Sequence, residues 1–142
     1  MKKDTSWDQS AEWYEDIITE AGSYQQEVIL PNLVRLMGLK QSQRVLDVGC
    51  GTGFFARAFA ATGAEVSWLD NSADMIVVAK KQGPGITFIQ GTADDLSAWK
   101  NHSFDAVTII LALQNMERAD AVMKECARVL KPNGALYVVL NH

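Results

Sequence analysis

Val45-Leu46-Asp47-Val48-Gly49-Cys50-Gly51-Thr52-Gly53-Phe54 is the stretch on which the reading of this chain turns. Residues 45–48 are a short apolar run of strand type, broken only by Asp47. Glycines then occupy three alternate positions, 49, 51 and 53. Residues 54–62 follow as a helix, closed by Gly63. A strand that runs into alternate glycines and then a helix brings bare backbone against a ligand. Any Cβ there would block the approach, and glycine also tolerates positive φ. A lone glycine would read as a tight turn with no ligand; three in alternation between a strand and a helix point to binding.

Strand and helix patterns alternate on the C-terminal side of this turn. Residues 65–69 form a second strand that ends at Asp70, and Ser72 caps a helix to about residue 81, with Asp74 near its positive end. Gly83-Pro84-Gly85 is a turn and residues 86–89 a third strand. The fourth strand, 104–113, is nearly all apolar and so central, covered on both faces. A helix over 117–130 carries the stripe Val122, Cys126, Val129 and Leu130. Lys131-Pro132-Asn133-Gly134 is a turn before a fifth strand at 135–140. On the N-terminal side, Ser6-Trp7-Asp8-Gln9 fits a capping box, and Ala11, Tyr14, Ile18 and Ala21 mark one helix face. A second helix carries Ile29, Leu33, Leu36 and Met37, with Pro31 near its start and Gly38 as its stop. The alternation predicts an α/β fold with a parallel sheet and helices on both faces, and a ligand site beyond the carboxyl ends of the strands.

Composition agrees with one soluble globular domain. The chain has 142 residues, 48% apolar and 21% charged. Thirteen Lys and Arg against 17 Asp and Glu give a formal charge of -4 with no basic block, which argues against nucleic acid as a partner. Cys50 and Cys126 lie far apart, and with His102 and His142 they write no metal-binding spacing and no disulfide framework. The apolar run at 106–113 is well short of the ~20 residues that span a bilayer, and the first residues hold no apolar signal segment. A cytoplasmic protein with reduced thiols is expected.

The ligand is narrowed by the carboxylates. Gly49 and Gly51 fit the first two positions of the dinucleotide fingerprint, but Phe54 stands at the third, and no Gly-Lys-Ser or Gly-Lys-Thr follows. Asp47 at the mouth of the turn would repel a pyrophosphate and suits a ligand that carries an ammonium and a sulfonium. Asp70 lies 19 residues beyond Gly51 at the end of the second strand, where a carboxylate accepts hydrogen bonds from both hydroxyls of a ribose.

The stretch 45–54 resembles motif I of the class I S-adenosylmethionine-dependent methyltransferases. The likeness continues through Trp68-Leu69-Asp70, Gly91-Thr92-Ala93-Asp94-Asp95-Leu96, Ser103-Phe104-Asp105-Ala106 and Arg128-Val129-Leu130-Lys131-Pro132-Asn133-Gly134-Ala135. It implies a Rossmann-like, doubly wound parallel sheet of order 3-2-1-4-5, preceded by helices. Residues 1–142 would form one domain, with 1–43 as a helical lid and 44–142 as the core. The cofactor implied is S-adenosyl-L-methionine, with S-adenosyl-L-homocysteine as product.

The resemblance also implies roles. Gly49 and Gly51 would lie against the methionine and ribose, Asp47 would reach the amino group, and Asp70 would hold the ribose hydroxyls. Asn71 and Met75 would follow to the adenine, although Met75 reads equally well as a core methionine. Thr92, Ala93 and Asp94 would line the adenine edge, with Thr92 where relatives carry Asp or Asn; Asp95 reads as a solvated loop acid. Leu111 and Ala112 would wall the cofactor near the sulfonium, and Tyr14 would belong to the lid. Gln114, Asn115 and Glu117 are candidates for the acceptor side, while His102 sits in a polar loop and no catalytic base is evident.

The acidic charge disfavours an RNA or DNA acceptor and leaves a protein one open; a small-molecule acceptor is expected, with no membrane partner. The resemblance further implies a helix and antiparallel strands after the fifth strand, so the chain is expected to be a fragment, truncated after that strand. An apolar fifth-strand edge would then pair with a second copy or be covered by rearrangement. Two alternatives stand beside methyl transfer: a fragment that holds the cofactor without catalysis, and a nicotinamide-dependent oxidoreductase.

Overall fold

A computed structural model describes residues 24–49, 53–82 and 86–140. The first predicted helix with Trp7, Trp13 and Tyr14, the turn residues Cys50 and Gly51, the turn at 83–85, and Asn141-His142 lie outside the described residues.

A π-helical segment, Gln25–Ile29, leads directly into helix α1, Leu30–Met37. Pro31 lies inside this continuous helical run, and its missing N–H removes one bond from the ladder where the π-helical turn gives way to α1. Ile29, Leu33 and Met37, four residues apart, are the buried face. Gly38 ends the helix at φ 53°, a left-handed conformation that glycine adopts without a Cβ penalty. Then come β1 (Arg44–Val48), α2 (Phe54–Ala60), β2 (Glu65–Asp70), α3 (Ala73–Gln82), β3 (Thr87–Gln90), β4 (Phe104–Ile110), a 3-10 turn at Leu113–Asn115, α4 (Ala119–Val129) and β5 (Leu130–Val139). The predicted cap of α3 forms: the Met75 N–H donates to Ser72 Oγ at 3.2 Å.

The five strands make one sheet of order β3-β2-β1-β4-β5, all parallel, as the sequence implied. Successive residues of a strand face opposite sides. Val45, Val66, Trp68, Ala106 and Ile110 therefore pack under α1 and α2 with Phe55 and Phe59. Leu46, Val48, Leu69, Val107 and Ile109 pack under α4 with Leu96, Trp99, Val122 and Cys126. Both faces are covered, and β1 and β4 are accordingly almost wholly buried.

Two strand boundaries correct the reading. β4 stops at Ile110, not residue 113, because Leu111 turns at φ 56° while its N–H still donates to Val139 O at 2.8 Å. Leu111 and Ala112 thus lie just past the strand. β5 begins at Leu130, not Ala135. Leu130 pairs with Phe104 and Ala135 with Ala106, so residues 131–134, predicted as a turn, bulge opposite Asp105 alone. Asp105 anchors the bulge. Its carboxylate accepts the Arg44 N–H at 2.8 Å and pairs with Lys131 Nζ at 3.3 Å. The Arg44 N–H and, secondarily, Lys131 hold that carboxyl below its ordinary range. The third strand is displaced by one residue, to 87–90, and the last helix is shorter than predicted, 119–129.

Candidate functional site

Parallel strands place their carboxyl ends on one rim, and the connecting hydrogen bonds hold that rim together. The Gly49 N–H donates to Leu69 O at 2.7 Å, and the Gly91 N–H donates to Asp70 O at 2.9 Å. The residues just past β1, β2 and β3 are thereby fixed side by side. A cleft of about 410 Å³ opens above them.

One wall is Gly49, Leu69, Asp70 and Asn71; a second is Gly91, Thr92, Ala93 and Asp94; the third runs from Asn115 to Arg118 and on to Val122. Gly49 takes φ +72°, and a Cβ on it would lie 2.9 Å from the Ala112 Cβ. Both backbone conformation and space demand glycine there. Asp70 is fixed by the loop behind it, its Oδ1 accepting the Ser72 N–H at 2.8 Å. Across the mouth the exposed Arg118 faces the half-buried Asp94 at 3.7 Å, a loose pair of small energetic weight.

Asp47 lies beneath the cleft and does not line it. Its residue is 1% exposed; the Thr108 hydroxyl donates to Oδ1 at 2.8 Å, and Oδ2 has no hydrogen-bond partner among the described residues. Burial pushes the carboxyl up from 3.8 to about 7; the Thr108 bond opposes the rise and the Asp70 charge adds to it. A buried carboxyl that titrates near 7, with one oxygen unpartnered among the described residues and a glycine turn two residues on, can ionise to accept from a cation.

Of the predicted residues the structure brings Gly49, Asp70, Asn71, Thr92, Ala93 and Asp94 to one cleft, with Asn115 and Glu117 on the facing side. Ala112 supports Gly49, while Leu111 packs with the core under α1 and α2. Met75 is 4% exposed and buried on α3, apart from the cleft lining. Gln114 bonds back to Leu111 O and does not line the cleft. His102 is exposed on a turn at φ 56°, away from it. Tyr14 and Gly51 lie outside the described residues. Sequence reasoning missed Leu69, Gly91, Met116, Arg118 and Val122 as lining residues. Val122 was legible as a stripe residue of its helix; the side chains of Met116 and Arg118 gave no periodic signal in an irregular loop.

The profile of the methyltransferase domain family matches residues 46–138. The chain belongs to that family. Its sheet order and glycine turn are those of the class I S-adenosylmethionine-dependent methyltransferases. It is 42% identical over 106 residues to the demethylmenaquinone methyltransferase of Renibacterium salmoninarum, covering 75% of this chain and 44% of that protein. It is 36% identical over 99 residues to the ubiquinone biosynthesis O-methyltransferase of Xanthomonas oryzae pv. oryzae, covering 67% of this chain and 41% of that protein. The chain thus spans less than half the length of these curated relatives. A solved structure from Methanococcus maripaludis superposes with a TM-score of 0.83 over 97% of this chain and 65% of that one; at 20% identity the likeness is one of fold alone. Among the described residues no helix is long and apolar enough to cross a membrane, and no group of His, Cys, Asp and Glu could hold a metal ion.

Proposed function

We propose that the cleft binds S-adenosyl-L-methionine, and its product S-adenosyl-L-homocysteine, for methyl transfer to a small-molecule acceptor. The observation that carries this is the meeting of the Asp70 carboxylate with the bare peptide of Gly49 in one cleft at the strand ends. The donor set fits a cationic ligand with a sugar better than a phosphate. Carboxylates at 70 and 94 face the cleft, Arg118 at its rim is the one cation among the described lining residues, and an idle carboxyl oxygen of Asp47 lies below.

Asp70 then accepts from the ribose hydroxyls, and Gly49 and Gly51 lie along the methionine and ribose. Asp47 takes the amino group, directly or through water. Asn71 borders the adenine, Thr92, Ala93 and Asp94 meet its edge, Ala112 beside Gly49 stands near the sulfonium, and Tyr14 belongs to the lid. When bound, the cofactor supplies a methyl group on a positively charged sulfur, open to in-line displacement. The contribution of the protein is to align the acceptor and exclude water. Asn115, Met116 and Glu117 are the described groups on the acceptor side. The relatives' names support a small-molecule acceptor. The outer edge of β5 suits pairing with a second copy; a dimer mass by light scattering supports that part of the reading and a monomer mass removes it.

Calorimetry with S-adenosylhomocysteine and with NADH tests the proposal. Binding of the first and not the second is expected; the reverse selects a nicotinamide enzyme. Transfer of labelled methyl to a hydroxylated aromatic acceptor then separates an enzyme from a domain that only holds the cofactor.

A further inference from the structure

The segment from Arg128 to Ala135 served above only as a family marker, and the structure gives its first residue a task. The second wall of the cleft belongs to the link between β3 and β4, residues 91–103, which pairs with no strand. Helix α4 holds it through two side chains. Glu125 Oε2 accepts the Leu96 N–H at 2.7 Å, and Arg128 Nη2 donates to Leu96 O at 2.9 Å. Both backbone groups of Leu96, a fully buried residue, meet this one ion pair, and its carbonyl also accepts the Trp99 N–H at 3.0 Å. Arg128 Nη1 reaches further, to Trp99 O at 3.0 Å and Asn101 Oδ1 at 2.9 Å, while Nε and Nη2 hold the two Glu125 oxygens at 2.9 and 3.1 Å. The planar fork of an arginine spans these acceptors; a lysine ammonium cannot.

The link is short and stiff on the cleft side of Leu96. The Asp95 N–H donates to Thr92 O at 3.0 Å, closing a turn whose residues 92–94 are the wall itself. The same helix lines the cleft one turn earlier, at Val122. Wall and helix are therefore clamped as one body by a pair that does not itself line the cleft. Opposite charge reinforces the clamp: Arg128 holds the Glu125 carboxyl below its ordinary range.

We infer that Glu125 and Arg128 are positioning residues that set the place of wall 92–94, and with it the discrimination of the ligand's base edge. The inference rests on the reading of the cleft as an S-adenosylmethionine site. A wall that hydrogen-bonds an exocyclic amino group rejects an analogue lacking it only while its acceptors are held at bonding distance. Misplacement by about 1 Å is enough to lose that preference.

The test compares S-adenosylhomocysteine with its deaminated analogue S-inosylhomocysteine by calorimetry, on the wild-type protein, Arg128→Lys and Glu125→Gln, each checked for folding by circular dichroism. The wild type prefers the amino-bearing ligand. In a folded Arg128→Lys protein the affinity for S-adenosylhomocysteine falls roughly tenfold, and the preference shrinks toward one. Simple loss of folded protein lowers the binding of both ligands alike and leaves their ratio, so an unchanged ratio in either variant overturns the inference. Should Arg128→Lys not fold, Glu125→Gln, which keeps one acceptor oxygen, decides by the same ratio. A wild-type protein that binds neither ligand overturns the reading of the cleft itself.

Discussion

The Thr108 hydroxyl, in the middle of β4, donates a 2.8 Å hydrogen bond to Oδ1 of Asp47 in the neighbouring β1, across a fully buried register pair. A carboxyl is thereby set into the apolar face beneath α1 and α2, two residues before the glycine turn. Burial raises its titration to about 7, and the second oxygen has no partner among the described residues. An acid in such a position is costly for folding and useful for a cationic ligand.

A stability profile should show this cost. The Asp47 carboxyl titrates near 3.8 unfolded and near 7 folded, so the native state binds the extra proton between those values. Its contribution is full below the lower value and is lost as pH rises through the higher. Urea unfolding at several pH values is expected to show this loss, with a limiting slope of about 1.4 kcal/mol per pH unit for one proton. Asp47→Asn should flatten the slope; parallel curves for the two proteins would count against the assignment.

Gly49→Ala should damage both backbone and cleft. The added Cβ lies 2.9 Å from that of Ala112, at a φ that costs a non-glycine residue about 1–3 kcal/mol. We expect a folded, less stable protein whose affinity for S-adenosylhomocysteine is at least about tenfold weaker, read by calorimetry. Full affinity would mean the ligand does not approach this peptide.

Phe59→Ala should cost about 3–5 kcal/mol in urea unfolding, because the ring is fully buried between α2 and the sheet. Arg118→Ala, by contrast, should change stability by less than about 1 kcal/mol, since its partner Asp94 is met at 3.7 Å on an exposed rim. A large loss at Arg118 would show that the pair fastens the two lips of the cleft.

Cys126 should resist thiol reagents in the folded protein. It is fully buried, and burial, with a smaller push from the Glu125 charge, raises its thiol to about 11. Peptide mapping after brief labelling at pH 8 is expected to find Cys126 unmodified, and modified once urea is present. Rapid labelling without denaturant would show that α4 opens readily.

The alternation of strand and helix, the glycine turn and Asp70 were legible because each follows from a local rule: period, cap or bare backbone. Six of the expected cofactor residues meet in the cleft for that reason. What escaped was non-local. Residues 131–134 carry turn chemistry, yet β5 runs through them because Asp105, on another strand, holds the bulge. The end of β4 was hidden by an apolar run that continues past Leu111, where the backbone turns without a glycine. Arg118 joins the cleft through an irregular loop, and the clamp of Arg128 on Leu96 links residues 32 apart, beyond any local pattern.

Calorimetric titration of S-adenosylhomocysteine into the wild type, Asp70→Asn and Asp70→Ala bears most directly on the cleft. Saturable one-site binding is predicted for the wild type. Asn keeps an acceptor for the Ser72 N–H and should weaken binding about tenfold, while Ala should weaken it on the order of 100-fold, as hydrogen bonds to a charged acceptor are lost. No binding by the wild type, or equal affinity in all three proteins, would contradict the account.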